Sequence, residues 1–414
     1  MAKSKQISSI DIGSTKITTL VAQIREEDPS KIHIVGASSS PSKGIRKGQI
    51  VNIDEAVESI VESVEAAERM AGYNVARAWV SVDGAHITSQ NSQGVVAISD
   101  PHGEISNEDV RRVLEAARAI SLPTSSEIIH VVPRSYSVDS QQGVKDPISM
   151  TGVRLEVETH IITGSVTALK NLTKCVSEVG CDISGLAFGG LASGLAVLTD
   201  TEKELGVVCV DIGGGTTDVV IYVDGALSYS SVLPVGARNV TNDLAIGLRI
   251  SLESAEKIKI FISQNRSKDK EDEIDLSSLG LPEEMKSISY KTLVEGIIRP
   301  RLNELFQMIS SEIKKSNLAG LTPAGLVICG GGALTVGLID SAKRILSMPV
   351  RIGFPSGLTG LIDEIESPAF ATSVGLLKCA IDDSEESPSG NFLNKLPLTG
   401  LMGKISGALK SLLP

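Results

Sequence analysis

Two stretches of the sequence share one pattern: Ser9-Ile-Asp-Ile-Gly-Ser-Thr15 and Cys209-Val-Asp-Ile-Gly-Gly-Gly-Thr216. In each, a run of β-forming residues ends in Asp-Ile-Gly, and β-forming residues resume directly afterwards. The pattern predicts a strand, a tight turn and a second strand, because glycine permits the turn and lets backbone N–H groups point at an anion. The aspartate at the end of each buried strand can order water around a divalent cation that bridges phosphates. We call residues 11–16 the first turn and residues 211–218 the second turn.

One turn of this kind is a weak signal, since most are simple hairpins. Two copies about 200 residues apart, with matching strands, favour nucleotide binding, because facing turns could hold a polyphosphate from both sides. Asp11 and Asp211 are the predicted catalytic residues and hold the metal through ordered water. The other predicted phosphate contacts are Gly13, Ser14, Thr15, Lys16, Gly213, Gly214, Gly215, Thr216, Thr217 and Asp218.

A third glycine-rich stretch, Val327-Ile-Cys-Gly-Gly-Gly-Ala-Leu334, ends a predicted strand. Glycines at such a position let a flat base or a ribose lie close to the backbone. The predicted contacts are Gly330, Gly331, Gly332 and Ala333. A tight strand-to-helix turn with small-residue packing is the alternative. The sequence contains no GxxxxGK[ST] motif, so a P-loop site is excluded.

Glu256 and Lys259 are three residues apart on a predicted helix and therefore share one face. A solvated ion pair and a contact with the ribose or adenine are two equally supported interpretations, since the pair lies between the second turn and Gly330 in the chain.

The composition limits the protein class. The chain has 414 residues, a formal net charge of −11 and 3% aromatic residues, which argue against a nucleic-acid partner because phosphate neutralisation needs clustered Lys and Arg. The five cysteines are scattered without a CxxC motif, as expected for buried thiols in a cytoplasmic protein and not for a zinc site. Neither a signal peptide nor an apolar run of about 18 residues is found, so no transmembrane span is predicted.

The three motifs, in this order, resemble the phosphate 1, phosphate 2 and adenosine motifs of the actin, Hsp70 and sugar-kinase superfamily. Within it, the chain is most similar to the FtsA family of bacterial actin-like cell-division proteins. The likeness extends over nearly the whole chain and includes three further stretches, which begin at Ser42, Val80 and Gly143: Ser42-Lys-Gly-Ile-Arg-Lys-Gly-Gln-Ile-Val-Asn-Ile-Asp54, Val80-Ser-Val-Asp-Gly-Ala-His-Ile87 and Gly143-Val-Lys-Asp-Pro-Ile-Ser-Met-Thr-Gly-Val-Arg-Leu-Glu156.

The resemblance implies an α/β, actin-like two-domain ATPase fold with duplicated mixed sheets, an inserted subdomain 1C and a C-terminal amphipathic helix. Its implied parts are subdomain 1A at 1–84 and 162–200, 1C at 85–161, 2A at 201–242 and 317–381, 2B at 243–316, a linker at 382–391 and a membrane-targeting tail at 392–414.

The resemblance also implies a function: an ATP- and Mg²⁺-binding protein that polymerises on the inner face of the cell membrane at the division site. Its implied partners are the C-terminal tail of FtsZ through 243–316, later divisome proteins through 85–161 and further copies of itself. A pilus-assembly relative remains an alternative, and a small-molecule kinase is a more distant one.

Superfamily members that hydrolyse ATP well use a Glu or Gln to position the attacking water. The matching region here, Asp182-Ile-Ser-Gly-Leu-Ala-Phe-Gly-Gly-Leu-Ala-Ser-Gly194, offers small and apolar residues after its first position. Slow hydrolysis is therefore expected, with Asp211 and Asp218 as possible substitutes.

The C-terminal tail has an apolar stripe at helical spacing with lysines on the opposite face. This pattern is typical of a helix that folds on an anionic lipid surface, although a helix docked on the protein's own core is the alternative. The predicted membrane residues are Leu401, Met402, Lys404, Ile405, Leu409, Lys410, Leu412 and Leu413.

Overall fold

The computed structural model describes residues 4–25, 28–100, 102–265, 272–283, 285–361, 363 and 365–383. The first elements in the chain are β1 (Ser4–Ile12), β2 (Lys16–Arg25), β3 (Asp28–Pro41), β4 (Ile45–Arg46), β5 (Gln49–Ile50), α1 (Ile53–Ala71) and β6 (Arg77–Val82). Strands β1, β2 and β3 are antiparallel neighbours, and β6 lies parallel to β1. The Asn52 side chain caps the start of α1, and Gly72 ends the helix in the left-handed region.

A second sheet follows in the chain, formed by β7 (Thr88–Ala97), β8 (Ser126–Val138), β9 (Gln141–Val144) and β10 (Arg154–Ser165), with α2 (Asn107–Arg118) between β7 and β8. Its strand order is β7-β10-β8-β9, and all of the pairs are antiparallel. The apolar side of α2 packs on this sheet and forms a separate core around Val113, Leu114 and Leu155. The insertion therefore has a hydrophobic core of its own.

The chain then returns to the first sheet and begins a third. These elements are α3 (Val166–Glu178), β11 (Asp182–Phe188), α4 (Gly189–Val197), α5 (Asp200–Leu205), β12 (Val207–Ile212), β13 (Thr217–Val223) and β14 (Ala226–Leu233). Strand β11 pairs in parallel with β6, while β12, β13 and β14 are antiparallel neighbours.

The remaining elements are α6 (Arg238–Leu248), α7 (Leu252–Gln264), β15 (Glu273–Asp275), β16 (Ser287–Ser289), a π-helical segment (Lys291–Ile298), α8 (Arg299–Lys315), β17 (Leu326–Cys329), α9 (Leu338–Leu346), β18 (Val350–Ile352), β19 (Leu358–Gly360) and α10 (Ala371–Asp382). The third sheet has the order β14-β13-β12-β17-β18. Its β12–β14 meander with the parallel strand β17 repeats the arrangement of β1–β3 with β6, so the two sheets are duplicated units.

The C-terminal part of the described chain packs on the first sheet. Strand β19 lies parallel to β3, which completes the order β11-β6-β1-β2-β3-β19. Helix α10 covers β1, and the Ser9 hydroxyl donates to the carbonyl oxygen of Ser373 over 2.9 Å. Strand β19 and residues 371–381 of α10, which the sequence analysis assigns to subdomain 2A, thus pair and pack with the first sheet. A strand of three residues that pairs with β3, far away in the chain, has no local sequence signal.

Candidate nucleotide site

The first and second turns have the same backbone arrangement. In the first, the N–H of Gly13 donates to the carbonyl oxygen of Lys16 over 3.1 Å, and in the second the N–H of Gly213 donates to that of Thr216 over 2.9 Å. Each turn joins two antiparallel strands whose last paired residues are Ile12 with Ile17 and Ile212 with Thr217. The prediction of two equivalent strand–turn–strand units is borne out by this geometry.

The tips of the two turns face each other. A side chain at Gly214 would place its Cβ 2.2 Å from Cγ2 of Thr15, and one at Gly215 would place it 2.7 Å from Oγ of Ser14. Such distances are shorter than any van der Waals contact, so only glycine fits at this close approach. The Ser14 hydroxyl also accepts a hydrogen bond from the N–H of Gly48 over 2.8 Å. The turns therefore form one cleft between the duplicated sheets.

The first side of the cleft carries the buried Asp11 and the half-buried Lys16. The Ser81 hydroxyl donates to Oδ1 of Asp11 over 2.9 Å. Burial raises the pKa of Asp11 to about 6, although Lys16 and the Ser81 hydrogen bond oppose this shift. Burial lowers the pKa of Lys16, whose Nζ lies 3.8 Å from the ring centroid of Phe370. Lys16 is thus a half-buried cation that partly balances the two predicted metal-ordering aspartates.

Asp211 and Asp218 lie on the second side. Oδ2 of Asp211 accepts hydrogen bonds from the hydroxyls of Ser193 and, over 3.0 Å, Thr372. Burial nevertheless raises the pKa of Asp211. Asp218 faces Asp211 across β12 and β13. Burial, and to a smaller extent the negative charge of Asp83, raises the pKa of Asp218 as well. Such crowding of buried carboxylates favours a cation in this cleft.

The third glycine-rich stretch reaches the same place. Strand β17 lies parallel to β12, with Cys329 beside Asp211. Gly330 has a φ of +81°, and a Cβ there would lie 2.2 Å from Oδ1 of Asp211 and 2.5 Å from the carbonyl oxygen of Ile212. Glycine at position 330 therefore leaves the space that the Asp211 carboxylate occupies. The three motifs that the sequence analysis singled out meet at one cleft.

Comparison with known proteins identifies the family. Two family models match the sequence: "SHS2 domain inserted in FTSA" over residues 84–163 and "Cell division protein FtsA" over residues 208–375. The cell division protein FtsA of Pseudomonas aeruginosa is 38% identical over 387 residues, which cover 93% of this chain and 91% of that protein. The FtsA of Neisseria meningitidis is 39% identical, with coverage of 91% and 90%. This chain belongs to the FtsA family.

The family match confirms the predicted family and cell-division role, and it decides against the pilus-assembly and kinase alternatives. Among solved structures, a PilM–PilN type IV pilus biogenesis complex is similar with a TM-score of 0.64 and 16% identity, covering 91% of this chain and 98% of that one. MreB5 of Spiroplasma citri bound to ADP has a TM-score of 0.54 and 14% identity, covering 92% and 99%. At such identities the likeness shows the fold, and it confirms the predicted actin-like α/β architecture. The FtsA-family chain is an actin-like cell division protein.

Asp83 is a cleft residue that the sequence analysis missed. It directly follows β6, and Asp11 is the last residue but one of the parallel neighbour β1, so both aspartates lie at the carboxyl ends of adjacent strands. The carboxyl groups of Asp83 and Asp218 lie within hydrogen-bonding reach, and burial raises the pKa of Asp83 to about 7. The signal was an acidic residue at the end of a buried strand, a frequent position for binding residues in α/β sheets.

Glu256 and Lys259 form an ion pair in this FtsA-family chain, with Nζ of Lys259 2.8 Å from Oε2 of Glu256. The same ammonium donates to the hydroxyl of Thr241 over 2.9 Å, and Thr241 in turn donates to Glu256. The Lys259 side chain is only 10% exposed. The network joins α6 to α7, and the predicted contact with ribose or adenine stays a prediction.

The cleft suits a magnesium ion held through water. In the described ranges, no cluster of three or more His, Cys, Asp or Glu side chains is arranged to coordinate a metal directly. The cleft nevertheless supplies carboxylate oxygens, which are the ligands that Mg²⁺ prefers. Oδ1 of Asp218 is buried, and no described residue donates a hydrogen bond to it. Asp11, Asp211 and Asp218 would face the hydration shell of an ion that neutralises the phosphates.

The predicted linker from residue 384 onward and the whole tail at 392–414 lie outside the described residues. Over the part of the chain that is described, no helix combines the length and apolar character needed to cross a bilayer.

Proposed function

We propose that this actin-like cell division protein binds Mg²⁺ and ATP between the first and second turns and polymerises on the cytoplasmic face of the membrane at the division site. The observation that best supports this proposal is the pair of facing turns, each with a buried aspartate at its base. The presence of ADP in the similar MreB5 structure supports the choice of an adenine nucleotide.

The proposed subdomains follow the sheets. We assign 1C to 85–161, which form the second sheet and α2, and 2B to 243–316. Subdomain 2A comprises 201–242 and the chain from residue 317 to β18. We assign residues 358–382 to subdomain 1A instead of 2A, an assignment that the pairing of β19 and the packing of α10 support.

The proposed contact with the C-terminal tail of FtsZ lies on 243–316. Exposed apolar side chains flank the turn from α6 to α7: Ile246 is 76% exposed and Leu252 is 48% exposed. Side chains this exposed gain by burial against a partner. Ile246→Glu should abolish binding of an FtsZ tail peptide in a fluorescence-anisotropy titration. Val153→Glu is the matched control, since Val153 is also 76% exposed but lies next to the second sheet. An equal loss of peptide affinity in both variants would refute this location.

Later divisome proteins are the proposed partners of 85–161. This insertion has its own core, so its outer surface is free to vary without affecting the cleft. Val153→Glu should reduce their binding and leave the affinity for the FtsZ peptide unchanged. Unchanged binding of every divisome partner would count against this surface.

The tail at 392–414 is the proposed membrane anchor, through Leu401, Met402, Ile405, Leu409, Leu412 and Leu413 with Lys404 and Lys410. Ile405→Glu places a charge in the acyl boundary, so pelleting with anionic liposomes should be lost while the melting temperature stays at the wild-type value. A helix docked on the protein's own core behaves in the opposite way: the variant would melt at a markedly lower temperature and still pellet.

Cryo-electron microscopy of the full chain on anionic lipid monolayers with Mg²⁺ and ATP tests the whole proposal. Confinement to the membrane raises the local concentration, so filaments should form on lipid at bulk concentrations where the protein in solution stays monomeric. The Ile405→Glu variant should leave the monolayer bare. Discrete monomers of the wild type at full surface coverage would contradict polymerisation.

A further inference from the structure

The start of helix α4 has no side chain where it meets the cleft. It begins with Gly189 and Gly190, directly after β11. A Cβ at Gly189 would lie 2.2 Å from Oδ1 and 2.9 Å from Oδ2 of Asp83, and one at Gly190 would lie 3.0 Å from Cβ of Asp218. The carboxylate of Asp83 therefore fills the volume that a side chain on the first turn of α4 would occupy.

Asp83 lies against Gly189 and beside the carboxyl group of Asp218, and one of its carboxylate oxygens has no hydrogen-bond donor in the described chain. The residue as a whole is partly exposed, but Oδ1 is buried and receives no hydrogen bond from the described chain. Asp11 and Asp211, in contrast, accept hydrogen bonds from the hydroxyls of Ser81 and Ser193. Asp83 and Asp218 are thus the cleft aspartates with a buried carboxylate oxygen that no described residue donates to.

A small cavity adjoins this carboxylate. Its volume is about 20 Å³, and its lining includes Gly48, Ser81, Asp83 and His86. A volume above about 10–15 Å³ with polar groups in its wall accommodates one water molecule. Water can therefore be held next to Asp83 at the edge of the cleft.

We propose that Asp83 orients and deprotonates the water that attacks a nucleoside triphosphate bound in the cleft. In this step the water oxygen bonds to the terminal phosphorus while the bond from that phosphorus to the bridging oxygen breaks. The departing diphosphate keeps the electron pair of the broken bond, and Asp83 takes the proton that the water loses. This inference rests on the proposed function, and it supplies from β6 the carboxylate that is missing from α4.

The test compares the full-length wild type with Asp83→Asn, which keeps the size of the side chain and removes its basicity. Phosphate release under single-turnover conditions should fall by about 10²–10⁴-fold, the range for loss of a general base. The affinity for ATP, from fluorescence titration, should stay within about threefold of the wild type. A second readout, which does not depend on turnover, is the half-life of bound radiolabelled nucleotide. The half-life of ATP on Asp83→Asn should equal the half-life of a non-hydrolysable analogue on the wild type. Asp109→Asn is the control, because Asp109 is a carboxylate with 2% exposure in α2, away from the cleft.

The possible failures are distinguishable. Wild-type hydrolysis in an Asp83→Asn protein that binds ATP overturns the inference, as does tight ATP binding by a wild type that releases no phosphate. A wild type that does not bind ATP refutes the proposed function itself. If Asp83→Asn melts below the assay temperature, Asp83→Ser, which is smaller and relieves the contact with Gly189, decides by the same two readouts.

Discussion

The first and second turns share one backbone but differ in charge. The partner across the strands is Thr18 for Asp11, whereas it is Asp218 for Asp211. The first turn also ends in the half-buried cation Lys16, while Asp83 lies beside Asp218 of the second turn. The duplicated fold therefore sets the positions of the predicted phosphate contacts. The side chains differ, so we call the first turn the balanced side and the second turn, with Asp83, the acidic side. A bound cation should act mainly on the acidic side.

The largest expected effect is that of Gly330→Val, which forces a side chain against Asp211 on the acidic side. Both the positive φ and the contact with Asp211 Oδ1 forbid a branched side chain. We expect the free energy of unfolding to fall by about 3 kcal/mol or more, measured by urea denaturation without nucleotide. The matched control is Gly280→Val, which also has a positive φ but no atom within 4 Å of its Cβ. Equal losses in the two variants would mean that only backbone strain matters.

An intermediate effect is expected when the second turn is made like the first. Asp218→Thr removes one of the crowded buried carboxylates, so the protein without nucleotide should become more stable above pH 7, by about 1–3 kcal/mol. Its affinity for ATP should fall in the presence of Mg²⁺ and change little in EDTA. Thermal melts at two pH values check the stability, and ATP titrations with and without Mg²⁺ check the affinity. If the variant is less stable than the wild type at pH 8, repulsion between the buried carboxylates does not destabilise the wild type.

The same crowding of carboxylates determines whether the stability of the protein rises or falls with pH. Asp83 and Asp11 have folded-state pKa values of about 7 and about 6, above the usual 3.8. Their contribution to stability is thus complete below pH 3.8 and is lost as the pH rises towards 7. The wild type should lose stability relative to Asp83→Asn between about pH 4 and pH 7, in urea melts without nucleotide. Parallel pH curves for the two proteins would contradict the raised pKa of Asp83.

The smallest effect sharpens the comparison at the glycines that open the turns. A Cβ at Gly13 would lie 2.8 Å from the Lys16 carbonyl oxygen, whereas one at Gly213 would lie 3.3 Å from that of Thr216. Gly13→Ala should therefore cost about 1 kcal/mol more than Gly213→Ala in the free energy of unfolding. The reverse order would show that the second turn is the tighter one.

Much of this site was predictable because its signals are local. The Asp-Ile-Gly pattern at Asp11 and Asp211 requires only a strand and a turn, and both turns are where the sequence predicts them. To predict Asp83 as a cleft residue, one must know that β6 lies beside β1, which is a contact between distant parts of the chain. The return of β19 to the first sheet depends on three residues, too few for a periodic pattern. Long-range pairing was therefore the missing information, and not the chemistry of the residues.

Isothermal titration calorimetry of the full chain with ATP and Mg²⁺ tests the central claim, that the two turns together hold the nucleotide, most directly. The wild type should bind one ATP per chain, and Asp11→Asn and Asp211→Asn should each weaken binding at least tenfold, more so for Asp211→Asn on the acidic side. The buried control Asp109→Asn should bind like the wild type. Absence of ATP binding by the wild type, or undiminished binding by both aspartate variants, would contradict the account.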